Sequence, residues 1–371
     1  MKLLSICIPT YKRQENLRRC IASALDQVEK FGLSGDVAIY VVDDASPDDT
    51  KTVLAEFSHL DYFLGISRQQ NLGMNQNIKA MLQEAAAMSR FQLILTDDDY
   101  LQPDCLQEIV EFLHQFDGEE APAAIWTPRY SYTEDGELHA VLCSPFNRDV
   151  LVKPSVSAAA RYMENGFVLS GLIVRAEKID FDFWETYRDN AYFPAIFFGD
   201  FLLRSGAQYW HRSIAHHTVL NECHWERWGK NDVVITLRLF SDFIEAYRVL
   251  ALKLPSVLQR VQFRVFSLSA LHGLANGSLT ADAMRGGTQM LSDAVIALKA
   301  EGRLRIGVWL RLLLSAFVTI HVFAAAFKVV LLALLWILRH KKASCVTRLK
   351  AHWTTLLIYP DRLRLMLNMV W

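Results

Sequence analysis

Three consecutive carboxylates, Asp97-Asp98-Asp99, follow the apolar run Phe91 to Leu95 and precede Pro103-Asp104. The run reads as a short buried strand, and Pro103 opens a helix expected to begin near Cys105. Strand ends in open α/β sheets are where ligands sit. Side by side and partly buried, three carboxylates repel one another unless a cation neutralises them. Oxygen ligation of this kind suits Mg²⁺ or Mn²⁺, ions that in turn hold phosphates. The bland alternative is an acidic loop tip solvated by water, and the strand before it and the Pro-Asp after it argue against that. A second acidic pair, Asp43-Asp44, ends the apolar run Val37 to Val42. One more acid, Asp200, stands inside the apolar, helix-like segment Phe193 to Arg204. Burial would make it a usable proton acceptor for a hydroxyl. Its structural alternative is an ion pair with Arg204 one helical turn on, and Asp189 is the reserve candidate for the base.

The elements that must position these groups alternate. Strand-like runs at Leu3 to Ile8, Val37 to Val42, Tyr62 to Ile66 and Phe91 to Leu95 are separated by helical patterns at Asn16 to Val28, residues 50–57 and Ile78 to Met88. Such alternation means a mostly parallel sheet with right-handed crossovers, flanked by helices. Both acidic groups then fall at strand C-termini and can converge on one crevice. This is a Rossmann-like nucleotide-binding arrangement without G-x-G-x-x-G, so phosphate charge falls to a metal. Beyond residue 122 come short β-like runs (Ala124 to Pro128, Leu138 to Cys143), a helix at Ser155 to Glu164 and a strong strand at Phe167 to Val174.

Four motifs in order, Ser5-Ile6-Cys7-Ile8-Pro9-Thr10-Tyr11-Lys12-Arg13, Val41-Val42-Asp43-Asp44-Ala45-Ser46-Pro47-Asp48, Asn71-Leu72-Gly73 and Leu95-Thr96-Asp97-Asp98-Asp99 with Pro103-Asp104, closely resemble a family 2 glycosyltransferase of the GT-A fold. Val168 to Arg175 with Tyr192-Phe193-Pro194 resembles the bacterial O-antigen transferases of the abequosyltransferase type. The resemblance implies that Pro9, Thr10 and Tyr11 line the base of a sugar nucleotide and that Asp44 hydrogen-bonds the base edge or ribose. It implies donor contacts from Arg13, Asp43, Asn71, Asn77 and Asp97, and a metal on Asp98 with Asp99 beside it. A late histidine, His216 or His217, could add a ligand, with His217 the one assigned; its plain alternative is a partly exposed surface histidine. Asp200 matches the segment that carries the family's base. One departure is Gln76 before Asn77, where many members have an Arg facing the diphosphate.

The 371 residues carry a net charge of −1, but residues 301–371 hold 11 Lys or Arg against two acids, so the tail is +9 and the body −10. The hydrophobic share is 52% and mean hydropathy is +0.14. A basic tail so dense in Leu, Val, Ile, Phe and Trp points to an anionic membrane surface and not to nucleic acid. Ile306 to Leu338 is almost wholly apolar, yet Arg311, His321 and Lys328 share one half of a helical wheel. That favours a helix lying in the interface, with a true span as the alternative. The expected organisation is a GT-A domain at 1–230, a helical region at 231–300 and membrane-associating helices at 301–371. Six scattered cysteines form neither a zinc site nor a disulfide framework, and Leu3 to Ile8 is too short for a signal-peptide core. The expected location is therefore the cytoplasmic face of the plasma (inner) membrane.

The expected function is inverting transfer of a sugar from a nucleotide-sugar donor to a lipid-linked glycan acceptor, with Mg²⁺ or Mn²⁺, in O-antigen or related surface-polysaccharide synthesis. The alternative is a catalytically inactive GT-A-like scaffold or binding module.

Overall fold

The computed structural model describes residues 1–116, 121–133, 136–163, 168–218, 242 and 245–255. The chain divides into two compact units, and all described residues belong to the unit made of Met1–Trp225 and Asp242–Ser267. The expected membrane-associating helices at 301–371 lie outside the described residues, as does the expected helical region at 231–300 apart from residues 242 and 245–255.

The order of elements begins β1 (Lys2–Thr10), α1 (Gln14–Phe31), β2 (Val37–Asp43), α2 (Thr50–Phe57), β3 (Phe63–Ser67), α3 (Met74–Ala85) and β4 (Ser89–Ile94). It continues with β5 (Tyr100–Leu101), α4 (Cys105–His114), β6 (Ala124–Trp126), β7 (Arg129–Tyr132), β8 (Leu138–Cys143) and β9 (Val150–Val152). Then come α5 (Val156–Met163), β10 (Leu172–Val174), α6 (Phe181–Glu185), α7 (Phe193–Arg204), β11 (Ala207–Tyr209) and β12 (Ala215–Thr218). Residues 245–252 are helical.

An eight-stranded sheet runs in the order β3-β2-β1-β4-β10-β6-β11-β9, and a four-stranded sheet in the order β5-β12-β7-β8. The first four strands of the large sheet are parallel, as their alternation with helices requires. β10 then pairs antiparallel with both β4 and β6, so the complete sheet is mixed. Helix formation is ordinary amphipathic physics. Leu17, Cys20, Ile21, Ala24 and Val28 of α1 recur at helical spacing and join Leu4, Ile6 and Ile8 of β1, Ile39 and Val41 of β2, and Leu106, Ile109 and Leu113 of α4 in one buried cluster. The alternate residues of these strands, Cys7, Tyr40, Val42 and Ile94, are buried as well, as strands of a sheet covered on both faces must be. Each fully buried aliphatic side chain contributes about 1.5–3 kcal/mol, which holds the strand ends in fixed register.

Two expectations about elements change. α3 starts at Met74, four residues before the expected Ile78, because the polar turn itself supplies the first helical turn. The strong strand expected at Phe167 to Val174 shrinks to Leu172–Val174. Gly171 has φ +88°, and a Cβ there would meet Thr127 Oγ1 at 3.0 Å, so the chain turns sharply against its neighbour before the strand begins.

Candidate active site

The C-terminal ends of β1, β2 and β4 meet at one edge of the sheet, and their side chains hold one another. Thr10 Oγ1 donates to Asp97 Oδ2 (2.7 Å). Arg13, the N-cap residue of α1 at the end of the β1–α1 turn, spans two acids: its Nη1 donates to Asp97 Oδ1 (3.0 Å) and to Asp98 Oδ2 (2.6 Å). Burial works against the guanidinium charge, and Asp97 and Asp98 more than restore it. Asp97 is buried, and burial pushes its carboxyl up to about 6 against the opposing pull of Arg13. The repulsion expected among three carboxylates is thus met, within the protein, by a cation from elsewhere in the chain.

Asp99 has different partners. His217 Nδ1 lies 2.9 Å from its Oδ2, the Thr218 amide donates to its Oδ1 (3.1 Å), and Thr96 Oγ1 donates to Oδ2 (3.2 Å). Burial raises the Asp99 carboxyl, but His217 and these donors outweigh it and hold it below the ordinary carboxylate value. His217 is buried, and its Nε2 has no partner. A carboxylate on one ring nitrogen with the other left open is the arrangement that orients a histidine as a metal ligand. Asp99, expected as a metal ligand, has its oxygens engaged by His217, Thr96 and the Thr218 amide. His216 is committed elsewhere: its ring stacks between Tyr100 (4.0 Å) and Tyr132 (4.5 Å), and burial, then Arg19, lower its pKa to about 4.

Asp98, a carboxylate, and His217, with Nε2 unpaired, are donor groups of the kind a divalent ion takes. Among the described residues no group of three or more His, Cys, Asp or Glu is arranged to hold a metal by itself. Release of Asp98 by Arg13 is the condition for an ion to bind there.

Asp44 is turned to a structural task. Its Oδ1 and Oδ2 accept from the amides of Leu72 (2.8 Å) and Gly73 (2.9 Å), which locks the third motif onto the end of β2. Asp43 accepts from the Ser46 amide (3.0 Å), while its buried Oδ2 is unpaired. Asn71 Oδ1 also receives the Gly73 amide (2.9 Å). Asn77 Nδ2 donates to Val42 O (3.2 Å), and its Oδ1 accepts from Arg68 Nε (2.7 Å). Arg68, not singled out from the sequence, stands just past the end of β3, where its Nη1 and Nη2 are paired with Glu84 (3.1 Å each). It lines a cavity of about 340 Å³ with Ile66, Ser67, Gln69, Gln70 and Leu72. Tyr11 is 38% exposed at the same strand edge. Pro9 pairs with Val42 in the β1–β2 ladder, so it supports the rim from within the sheet. Lys12 (φ +58°) and Ala45 (φ +59°), each just past a strand end, both adopt the left-handed conformation that non-glycine residues rarely accept. The Lys12 amide donates to Ser46 Oγ (2.9 Å) across these two turns.

Asp200 is not brought to this cluster by any contact. It is buried on α7, and Arg204 Nε donates to both its oxygens (2.9 and 2.8 Å), with Lys253 Nζ 3.7 Å away. This is the ion-pair alternative, one helical turn on, as the spacing allowed. Asp189 is on a different footing. Its side chain is 87% exposed, on a segment fastened to the start of α3. The fastener is Asn75, a buried residue that sequence reasoning passed over. It donates to Tyr187 O (3.2 Å) and Arg188 O (2.6 Å) and accepts from Trp184 Nε1. Asn75 lies two residues past the Asn71-Leu72-Gly73 motif, so its position was visible though its partner was not.

A mixed sheet whose parallel strands end in acids, with a guanidinium among them and a cavity beside them, defines an α/β protein with its polar groups gathered at one sheet edge. Residues 5–137 match the model of Glycosyl transferase family 2. The chain therefore carries a family 2 glycosyltransferase domain. Over 208 residues it is 30% identical to abequosyltransferase RfbV of Salmonella typhimurium, covering 53% of this chain and 59% of that one. Over 115 residues it is 35% identical to a Campylobacter jejuni protein named GalNAc(5)-diNAcBac-PP-undecaprenol beta-1,3-glucosyltransferase, covering 30% of this chain and 34% of that one. The matched stretches span less than two thirds of either relative. The crystal structure of S. aureus TarS 1-349 shares the fold, with a TM-score of 0.53, 15% identity and 80% of each chain covered. TarS 1-349 in complex with UDP-GlcNAc superposes similarly, at a TM-score of 0.52 and 15% identity, over 80% of this chain and 81% of that one.

Proposed function

We propose that this protein transfers a sugar, with inversion, from a nucleotide-sugar donor to a glycan acceptor carried on a polyprenyl diphosphate, in the assembly of O-antigen or a related surface polysaccharide. The observation that carries the reading is the cluster of Asp97, Asp98, Asp99, Arg13 and His217 at the shared edge of β1, β2 and β4. Tyr11, Asp43, Asn71 and the cavity beside Arg68 offer the donor base and ribose a rim of rings and polar groups. Arg13, released from Asp98, reaches the donor diphosphate as a guanidinium suited to phosphate oxygens. A bound Mg²⁺ or Mn²⁺ would neutralise the departing nucleoside diphosphate. Asp98 and His217 would hold that ion, and Asp99 would keep the His217 ring in the required tautomer.

For the proton taken from the attacking hydroxyl, the exposed Asp189 suits the role better than Asp200, whose oxygens are engaged by Arg204. The relatives' names support the choice of acceptor: one includes PP-undecaprenol, a lipid-linked diphosphate. Among the described residues no helix is long and apolar enough to cross a membrane. Attachment through the basic tail to the cytoplasmic face of the membrane therefore rests on the sequence pattern alone.

The test is a thermal-shift screen against UDP-, GDP-, CDP- and dTDP-sugars with and without Mn²⁺, followed by transfer assays with the stabilising donor. Metal-dependent stabilisation by one nucleotide class, with transfer abolished in Asp98→Ala, is the expected outcome. Donor binding without transfer to any lipid-linked acceptor would favour the binding-module reading, and no response in the folded protein would remove the donor site altogether.

A further inference from the structure

Arg129, the first residue of β7, is fully buried, yet only one of its three guanidinium nitrogens has a partner. Nη2 donates to Tyr162 Oη (3.3 Å), and the guanidinium carbon lies 5.3 Å from the centre of the Tyr162 ring. Nε and Nη1 have none. A buried guanidinium without a countercharge is strongly unfavourable, so a residue in this state points to an anion that it meets in use. A second cation stands close by: the Arg161 guanidinium carbon is 5.2 Å from the Phe146 ring centre. Trp126 joins the two aromatic groups, 5.2 Å from Tyr162 and 6.0 Å from Phe146. Cys143 lies within the field of both arginines. Among the described residues neither arginine forms an ion pair. The result is a doubly cationic, aromatic-lined locus with no acid of its own among the described residues, and of its three rings only Phe146 reaches solvent.

Its place in the fold says which substrate it faces. β6 and β4 both pair antiparallel with β10, so their C-terminal ends share one edge of the sheet. Two strand spacings, about 10 Å, separate them. Arg129 follows β6 at that edge, and two residues on, Ser131 pairs with His217 in the β7–β12 ladder. β1, β2 and β3, which carry the donor motifs, lie on the opposite flank of β4. A register shift between Arg129 and Tyr130 breaks the regular ladder at this point, a feature that re-aims a side chain.

We propose that Arg129 and Arg161 form an oxyanion subsite on the acceptor side, which takes a phosphate or diphosphate attached to the acceptor one or two sugar rings from the reacting hydroxyl. The assignment to the acceptor rests on the glycosyl-transfer reading above; the anion site itself does not. An entering anion passes Phe146 and gains the two unpaired nitrogens of Arg129, while the Phe146 ring packs against the adjoining sugar.

The experiment titrates inorganic pyrophosphate, and glucuronate as a carboxylate control, into the full chain in EDTA. Binding is followed by calorimetry and by the unfolding temperature. Pyrophosphate binds the wild type in preference to glucuronate; Arg129→Met weakens it by at least about ten-fold, and Arg161→Gln by about three-fold or more. Asp98→Asn leaves this metal-free binding within two-fold, which separates the site from that of the donor diphosphate. No pyrophosphate binding, equal binding in Arg129→Met, or a preference for glucuronate overturns the proposal. Should Arg129→Met fail to fold, the exposed Arg161→Gln decides by the same criterion. If pyrophosphate binds as expected but a neutral glycoside acceptor reacts with the same KM as its diphosphate-linked form, the site stands and its assignment to the acceptor fails.

Discussion

Two buried acidic centres in this protein are built in opposite ways. Asp200 and Arg204 sit one turn apart on a single helix, and each answers the other's charge locally. Asp97, Asp98 and Asp99 sit at a strand end and are answered from 84 to 118 residues away, by Arg13 and His217. The local pair forms wherever α7 forms and leaves its acid occupied. The long-range cluster exists only when four strands and two turns are in register, and it keeps one histidine nitrogen uncommitted. An acid whose countercharge lies on another element can exchange that partner for a ligand, because the exchange does not require its own helix to change. On the proposed reading, that difference makes the strand-end cluster the site and Asp200 a brace.

Substitutions can break this contrast, and the largest effect is expected at the strand end. Asp98→Asn should lower transfer by about 10³-fold or more while leaving the circular-dichroism spectrum and melting temperature near those of the wild type. A loss of activity matched by loss of fold would make Asp98 a brace as well. Next comes Asp99→Asn, which removes the orienting carboxylate behind His217. A decline of about 10–100-fold in metal affinity, read by Mn²⁺ titration, is expected. An unchanged affinity would detach His217 from metal binding.

Asp200→Asn should do the reverse, costing about 1–3 kcal/mol of stability in denaturant unfolding. The lower part of that range fits a partner, Arg204, that is itself 34% exposed. Its kcat should stay within a few-fold of the wild type, whereas a loss beyond about 10²-fold would return the base role to Asp200. The smallest effect belongs to His216, the neighbour that the fold keeps from the site. Its ring takes a proton more readily in the unfolded chain, near 6.5, than in the fold, near 4. Its contribution to stability is therefore complete above about pH 6.5 and declines as pH falls toward 4. His216→Phe should flatten the melting temperature over that interval, and an unaltered profile would mean that the stacked histidine is not the titrating group.

Much of the donor half was legible because its signals are local. A strand of β-type apolar residues, a carboxylate at its end and a helix start six residues later all lie within one window, as at Val37 to Thr50 and Phe91 to Cys105. The acceptor half was not legible in this way. The stretch Phe167 to Val174 has strand composition, but the turn at Gly171 and the bonds from Ser170 Oγ to Thr96 decide otherwise. Arg204 was readable as a partner of Asp200 because helical spacing is fixed. Arg13 was readable as part of a motif but not as the clamp on two acids. Asn75 was passed over because the carbonyls it meets, at Tyr187 and Arg188, are more than 110 residues downstream.

What the sequence determined by itself, then, is the family, the parallel α/β core and the three strand-end acids, since these follow from periodicity and short-range order. What only the tertiary structure decided is which acid meets which cation. Asp97 and Asp98 received Arg13, Asp99 received His217, Asp44 received two backbone amides, and Arg129 received no acid among the described residues. Charge pairing depends on distance in space, and distance in space between residues of different elements is set by sheet order and crossover, not by residue type.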